Sequence, residues 1–277
     1  MNTKIFSISL ILLFLSACNN NTKHAQEILN QAKNYYEIYE YASAKLMLDS
    51  LKKTYPQEAA IQKERLQLMR QVELKEQERN LDYCTGMLVV CEAKADSLKK
   101  NFLFEKDTIY DEIGKYFVKQ QKIESNLQKS YIRCNINEQG EMFLESVYYG
   151  NKPINHTGIK VSTPTGEYTE TQNIPRDGGL NYSFTDLGAT TEIVTYKKDQ
   201  AGGVVQFICD NHNEKLKVEY SGGKAYMIRI ASADKNAVVE TQELAVVLSD
   251  IDRLKKETQK AGERITYLKN KTNEDVQ

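Results

Sequence analysis

Apolar residues recur every seven positions in two stretches far apart in the chain. The first runs Leu74, Leu81, Leu88, Ala95 and Phe102, with Gln77, Cys84, Cys91 and Leu98 filling the interleaved series. The second alternates steps of three and four through Leu244, Val247, Ile251, Leu254, Thr258, Ala261, Ile265 and Leu268, with Lys255, Lys256, Glu257, Lys260, Glu263 and Arg264 between them. A sustained seven-residue period with charges on the other positions predicts the a/d seam of a coiled coil. Gln77 and Gly86 weaken the first seam. The second spans residues 237–270, and an antiparallel partner of equal length covers 66–100. At about 1.5 Å per residue each arm is roughly 50 Å long.

Between the arms the period falls to two. Ile132, Cys134 and Ile136 share one face of a short run, and 142–150 follows the turn Glu138-Gln139-Gly140. Further strands are predicted at 159–162, 166–171, 180–184, 192–196, 204–209, 216–220 and 225–230. Turn formers separate them, among them Asp177-Gly178-Gly179, Gly202-Gly203 and Ser221-Gly222-Gly223. Many short strands about ten residues apart predict an antiparallel sandwich or barrel. Residues 102–130 read either as a helix, through Ile109, Ile113, Tyr116, Ile123 and Leu127, or as a strand pair around 102–104 and 116–118. The matched arm lengths place the start of the β domain near 102. Ahead of the first arm, residues 25–58 read as an amphipathic helical hairpin closed by Tyr55-Pro56. The fold class expected is therefore α+β, with antiparallel coiled-coil arms flanking an antiparallel β head.

Composition narrows the function classes. The 37 basic and 38 acidic side chains nearly cancel, leaving a formal net charge of -1. Nucleic-acid binding draws on counterion release from a basic face, so no nucleic-acid partner is expected. Tryptophan is absent, which removes one of the usual aromatic platforms for sugars. No phosphate loop ending in Gly-Lys-Ser/Thr, no Gly-x-Ser-x-Gly elbow and no His-Glu-x-x-His occurs. Neither an enzyme nor a cofactor is expected. Cys209-Asp210-Asn211-His212 holds metal-ligand types, but an isolated Cys-x-x-His is explained by a turn after a strand, and no metal is expected.

The first residues carry a different message. Lys4, the apolar run Ile5 to Leu15 and the small Ser16-Ala17 form a secretory signal. The run is shorter than the roughly 20 residues a spanning helix needs. Leu15-Ser16-Ala17-Cys18 resembles the lipobox of bacterial lipoproteins. That resemblance implies diacylglycerol on Cys18, and the two or three acyl chains of such proteins give a stable membrane anchor. Signal peptide 1–17, tether 18–24, hairpin 25–58, arm 59–101, β domain 102–232, arm 233–271 and tail 272–277 are the expected segments. Ala32, Tyr35, Ala44, Leu48 and Pro56 match one degenerate tetratricopeptide-like repeat, a unit that normally needs neighbours. In outline the chain resembles envelope chaperones, periplasmic adaptors and uncharacterised lipoproteins of Bacteroidota. Surface lipoproteins of that phylum carry acids just after the lipidated cysteine, whereas here Asn19 to His24 contain none. An Asp directly after Cys18, the inner-membrane signal of enterobacteria, is missing too. The expectation is an outer-membrane anchor facing the periplasm, with envelope proteins, and in one reading a second copy of the chain, as partners.

Four thiols remain beyond Cys18. Cys84 and Cys91 lie about 10.5 Å apart along one helix, too far to bridge each other. They read as seam residues or as interchain bridges across a parallel dimer. Cys134 and Cys209, on different predicted strands, are a candidate disulfide pair in an oxidising compartment. Ser50, Ser97 and Thr108 follow aspartates and precede aliphatic residues, resembling the O-glycosylation triplet of Bacteroidota envelope proteins.

Overall fold

The computed structural model describes residues 3–106 and 112–274, with side chains described for 20–106 and 112–272. The protein is α+β, and its described residues form five α-helices and two antiparallel sheets of six and four strands. Its chain forms two compact units, residues 1–86 with 255–277, and residues 87–254. The long helices α3 (Ala59–Lys99) and α5 (Ser232–Glu274) contribute to both.

In the first unit, α1 (Thr3–Glu37) and α2 (Tyr41–Thr54) form a hairpin whose turn is made by Tyr39 at φ 65. Ala25, Leu29 and Ala32 bury along one stripe of α1, and Ala44, Leu48 and Leu51 along one stripe of α2. Ile61, Leu68 and Val72 of α3 close the same core. This third helix supplies the neighbour that a lone helical pair lacks. Gln62 fastens it by donating its side-chain amide to the Leu51 and Tyr55 carbonyls at 3.1 and 2.9 Å, at the C-terminal end of α2, where Leu51 also accepts the Tyr55 N–H and Tyr55 the Glu58 N–H. Farther along, Glu257 of α5 faces Cys84 of α3, and Arg264 pairs with Glu73. As numbers rise on one helix they fall on the other, so the two run antiparallel in this unit. Residues 18–24, expected as an unpacked tether, are helical here as part of α1. The segment has no Gly or Pro to stop a helix that continues N-terminally from the packed stripe. Its described residues, 20–24, are exposed.

The second unit holds the β structure. Strands β1 (Phe102–Glu105), β2 (Lys115–Val118), β3 (Tyr131–Asn137), β4 (Met142–Gly150), β7 (Asn181–Asp186) and β8 (Ala189–Tyr196) form the larger sheet, in the order β1-β2-β3-β4-β8-β7. The smaller sheet is β10-β9-β5-β6, from β5 (Gly158–Ser162), β6 (Tyr168–Glu170), β9 (Lys217–Ser221) and β10 (Tyr226–Arg229). The ambiguous stretch after 102 therefore resolves as a strand pair followed by two short 3-10 turns, 119–121 and 123–125. Ile109 lies outside the described residues.

Alternation gives the larger sheet two faces. On its inner face Ile132, Cys134, Ile136, Leu144, Val194 and Tyr196 join one apolar cluster with Ile159, Val161, Val218 and Tyr220 of the smaller sheet and with Val238, Leu244 and Leu248 of α5. Tyr220 ties the sheets by donating its hydroxyl to the Val147 carbonyl at 2.9 Å.

The expected strand 204–209 is a helix, α4 (Val204–Asp210). Gly202 and Gly203, at φ 58 and 81, turn the chain, and Val204 and Ile208, one helical turn apart, are fully buried. A seven-residue apolar run fits either period. The preceding glycine pair and its burial decide for a helix.

The β3–β4 turn rests directly on α5. Gly140 sits at φ +85, where a Cβ would lie 2.5 Å from the Ser249 nitrogen and 2.8 Å from the Ala245 oxygen. Gly140→Ala combines left-handed strain with a backbone clash, so a loss of about 2 kcal/mol or more is expected in urea unfolding. A loss within experimental error would show that α5 does not press on this turn.

Candidate functional site

Two constellations stand out, on opposite faces of the larger sheet. The first is buried. Register places Ser146 of β4 beside Val194 of β8, so Ser146, Glu192 and Tyr196 all point inward. The loop after β4 brings His156 to the same place. Its Nδ1 lies 2.8 Å from Glu192 Oε2, its Nε2 lies 3.0 Å from Ser146 Oγ, and Ser146 Oγ lies 3.2 Å from the Tyr196 hydroxyl. Glu192 also accepts the backbone N–H groups of Ile154, Asn155 and His156 at 2.9, 2.8 and 3.1 Å. With four donors on the carboxylate, Nδ1 carries the imidazole proton and Nε2 accepts from Ser146.

Burial alone would raise the Glu192 pKa, but these hydrogen bonds outweigh it and hold the carboxyl below its ordinary range. Burial pushes His156 down, and the contact with Glu192 only partly offsets that. The arrangement is a neutral imidazole beside an ionised carboxylate.

Nucleophile, base and orienting carboxylate are thus aligned as in acyl-transfer enzymes. Access decides what they do. Ser146, His156 and Glu192 are exposed by 0%, 1% and 1%, and the Tyr196 hydroxyl occupies the far side of the Ser146 oxygen. No acyl donor reaches that oxygen in this conformation. The group instead pins loop 154–156 to the sheet.

The second constellation is open. Tyr131 and Arg133 of β3, Val147 and Tyr149 of β4, Ile193 of β8 and Phe184 of β7 line a groove on the outer face, with a cavity of about 340 Å³. Ile123 and Leu127 form one wall, and the β7–β8 hairpin tip forms the other. Its floor is charged but balanced. Arg133 donates to Glu145 Oε2 through Nε at 2.6 Å and through Nη2, while Asn135 donates to Oε1 at 2.8 Å. Burial opposes the Arg133 charge, but Glu145 more than compensates and raises its pKa.

The rim is unusually apolar. Ile123, Leu127, Phe184 and Leu187 are exposed by 53%, 63%, 51% and 97%. Leu187 sits at φ 47, a left-handed position at a hairpin tip where Asn or Gly is usual and a branched apolar side chain is strained. A contiguous patch of this kind marks an interaction site more often than an isolated exposed leucine does.

No protein-family model matches this chain, and no curated protein matches it. The reading of either constellation therefore rests on its geometry.

The seam residues lie as follows. Cys84, Leu244, Val247, Ile251, Leu254 and Leu268 are buried, while Leu74, Leu81, Leu88, Cys91, Leu98 and Ile265 are half-buried. Leu88, Cys91 and Leu98 pack on the cluster beneath the larger sheet. The bridge considered for Cys134 and Cys209 is not formed. Both are free thiols, as is Cys91. Burial raises the Cys134 pKa and lifts that of Cys209 to about 11, which suppresses the reactive thiolate. His212 turns its Nδ1 to the Cys209 carbonyl at 3.0 Å. Among the described residues no three His, Cys, Asp or Glu side chains are grouped to hold a metal ion. Ser50 and Ser97 are exposed on α2 and α3. Thr108 and the Cys18 side chain lie outside the described residues.

Neither constellation was assembled from the sequence. Ser146, His156 and Glu192 fit no short motif, and the groove depends on β8 lying between β4 and β7. The one available signal was Glu192, an acid on the apolar-face parity of a strand.

The buried network makes stability depend on pH. A His156 pKa below its ordinary 6.5 means the unfolded chain takes up a proton first, so stability falls as pH drops below about 6.5. Depressed Glu192 adds a loss in the same direction below its ordinary 4.5. Urea midpoints at pH 7.5 and 5.5 should show this fall, and His156→Gln should flatten it while lowering stability at both. An equal slope in the variant would remove His156 as its cause.

Proposed function

We propose that this chain is a lipid-anchored envelope protein that holds a partner, an adaptor or chaperone-like role. The anchor reading comes from Leu15-Ser16-Ala17-Cys18, and with it the placement on the periplasmic side of the outer membrane. The holding reading is carried by one observation, the outer groove with its half-exposed apolar rim. Exposed leucine and phenylalanine around a concave surface have no role in the unit's own core, and they favour capture of an apolar partner. The arms are less suited to the task than their seams suggest. The residues of both seams are buried or half-buried within the units, so what they would offer a partner is already in use.

Two measurements test this. Pull-down from detergent-solubilised envelopes should recover specific proteins, and Leu127→Asp or Phe184→Asp should cut that recovery about tenfold, the effect of roughly 1.4 kcal/mol. Both side chains are more than half exposed, so the variants keep the fold; unchanged recovery overturns the holding role. For the anchor, Cys18→Ala should release the protein from membranes. Protease should degrade the wild type only after cells are opened. Cleavage in intact cells would overturn the periplasmic placement.

A further inference from the structure

We infer that the groove seats the β7–β8 hairpin tip of a second copy of this chain, each tip lying in the other's groove. This rests on the holding role proposed above and specifies what is held. The two walls of the groove carry opposite charges. On the tip, Asp186 stands between Phe184 and Leu187, and on the facing wall Lys129 follows Ile123 and Leu127. One wall is thus apolar and acidic and the other apolar and basic, with all six of these residues exposed. Lys129 donates to the Ser125 carbonyl at 3.3 Å, which leaves ammonium hydrogens for a further acceptor. Asp234 also lies within its field, but that carboxylate is hydrogen-bonded to Gln121 at 3.3 Å.

Symmetry turns this difference into a fit. With two grooves face to face, a two-fold axis along the groove carries each wall onto the opposite one. Asp186 of one copy then faces Lys129 of the second, and Leu187 lies against Ile123 and Leu127 of the second copy. The same contact occurs twice, as a closed two-fold interface requires. An unrelated partner would have to bring an apolar and acidic ridge of its own, whereas a second copy carries one already matched to the wall.

The tip is shaped for insertion. Every residue from Tyr182 to Leu187 is exposed, so a convex element stands beside a concave one. Leu187 keeps its left-handed backbone while making almost no contact with its own chain, and such strain collects at sites that clamp a partner. The floor takes no part in the charge match, because Arg133 is bonded to Glu145. A rim ion pair adds little affinity, but like charges set opposite one another oppose association strongly. Lys129 and Asp186 therefore fix which wall meets which, and the apolar side chains supply most of the attraction.

The test uses the full chain in detergent, as the wild type, as Asp186→Lys and as Lys129→Glu. Sedimentation over a range of protein concentrations should show a monomer–dimer equilibrium for the wild type. Each charge reversal sets like charges opposite one another at both contacts and should raise the dissociation constant about tenfold or more. Mixing the two variants should restore the wild-type affinity, because each tip then faces a wall of opposite charge. A wild type that stays monomeric, or a dimer that Leu187→Asp leaves intact, overturns the inference. So does a mixture that associates no better than its parts, since the two charges would then not face each other. If Leu127→Asp loses envelope proteins from the pull-down while the wild type is monomeric, the holding role stands and the self-pairing falls. If the charge exchange works but recovery of envelope proteins ignores Leu127→Asp, the pairing stands and their capture by the groove falls.

Discussion

The central strands of the larger sheet have no side that faces water. All seven positions of β3 are buried, and β4 is buried from Leu144 to Tyr148. Alternation can make only one face apolar in a sheet of this kind, so polar groups on the other must satisfy one another. Arg133 and Glu145 do this on the outside, where Asn135 donates to Glu145 but keeps its own Oδ1 without a partner, and Ser146, His156 and Glu192 form a second network on the inside. Removing Arg133 or Glu145 would strand the charge of its buried partner, which typically costs several kcal/mol, although the intact pair adds little net stability. These two networks add side-chain ties to the backbone ladders that join β3, β4 and β8.

That constraint also separates the two faces by role. Inside, the hydrogen-bonded relay is enclosed and works as a rivet for loop 154–156. Outside, the ion pair forms a rigid, charge-balanced floor, and apolar side chains rise around it. Lys129 and Asp186 also line the groove, so charge is present at its edges although the Arg133–Glu145 pair on its floor is matched.

Much of the fold was legible because long periodicity is a strong signal. The heptads of α3 and α5 and the turn residues between strands carry enough repeats to survive local exceptions such as Gly86. The failures are short-range. Val204–Asp210 has too few residues for its period to be read, and its helical state depends on burial of Val204 and Ile208. The site was less legible still. His156 sits in a loop, and only the fold brings it to Glu192, 36 positions later in the chain. The outer groove depends on strand order, which a hydrophobic pattern does not encode. Leu187 was visible as a residue, but its exposure and left-handed backbone were not.

The first unit is discontinuous along the chain, and this bears on the order of assembly. Its amino-terminal part, α1, α2 and the start of α3, is made of near neighbours and can form early, since local contacts carry small loop-closure entropy. The remainder, from Lys255 onward, arrives only after all of 87–254 has been made. Until then the α3 surface around Cys84 has no cover. Each nascent molecule thus passes through a stage with one helical face unpaired, exposed to chaperones or to the same face of another chain. Closure of the β unit would end that stage for each molecule, since α5 begins in that unit and continues beyond it into the first.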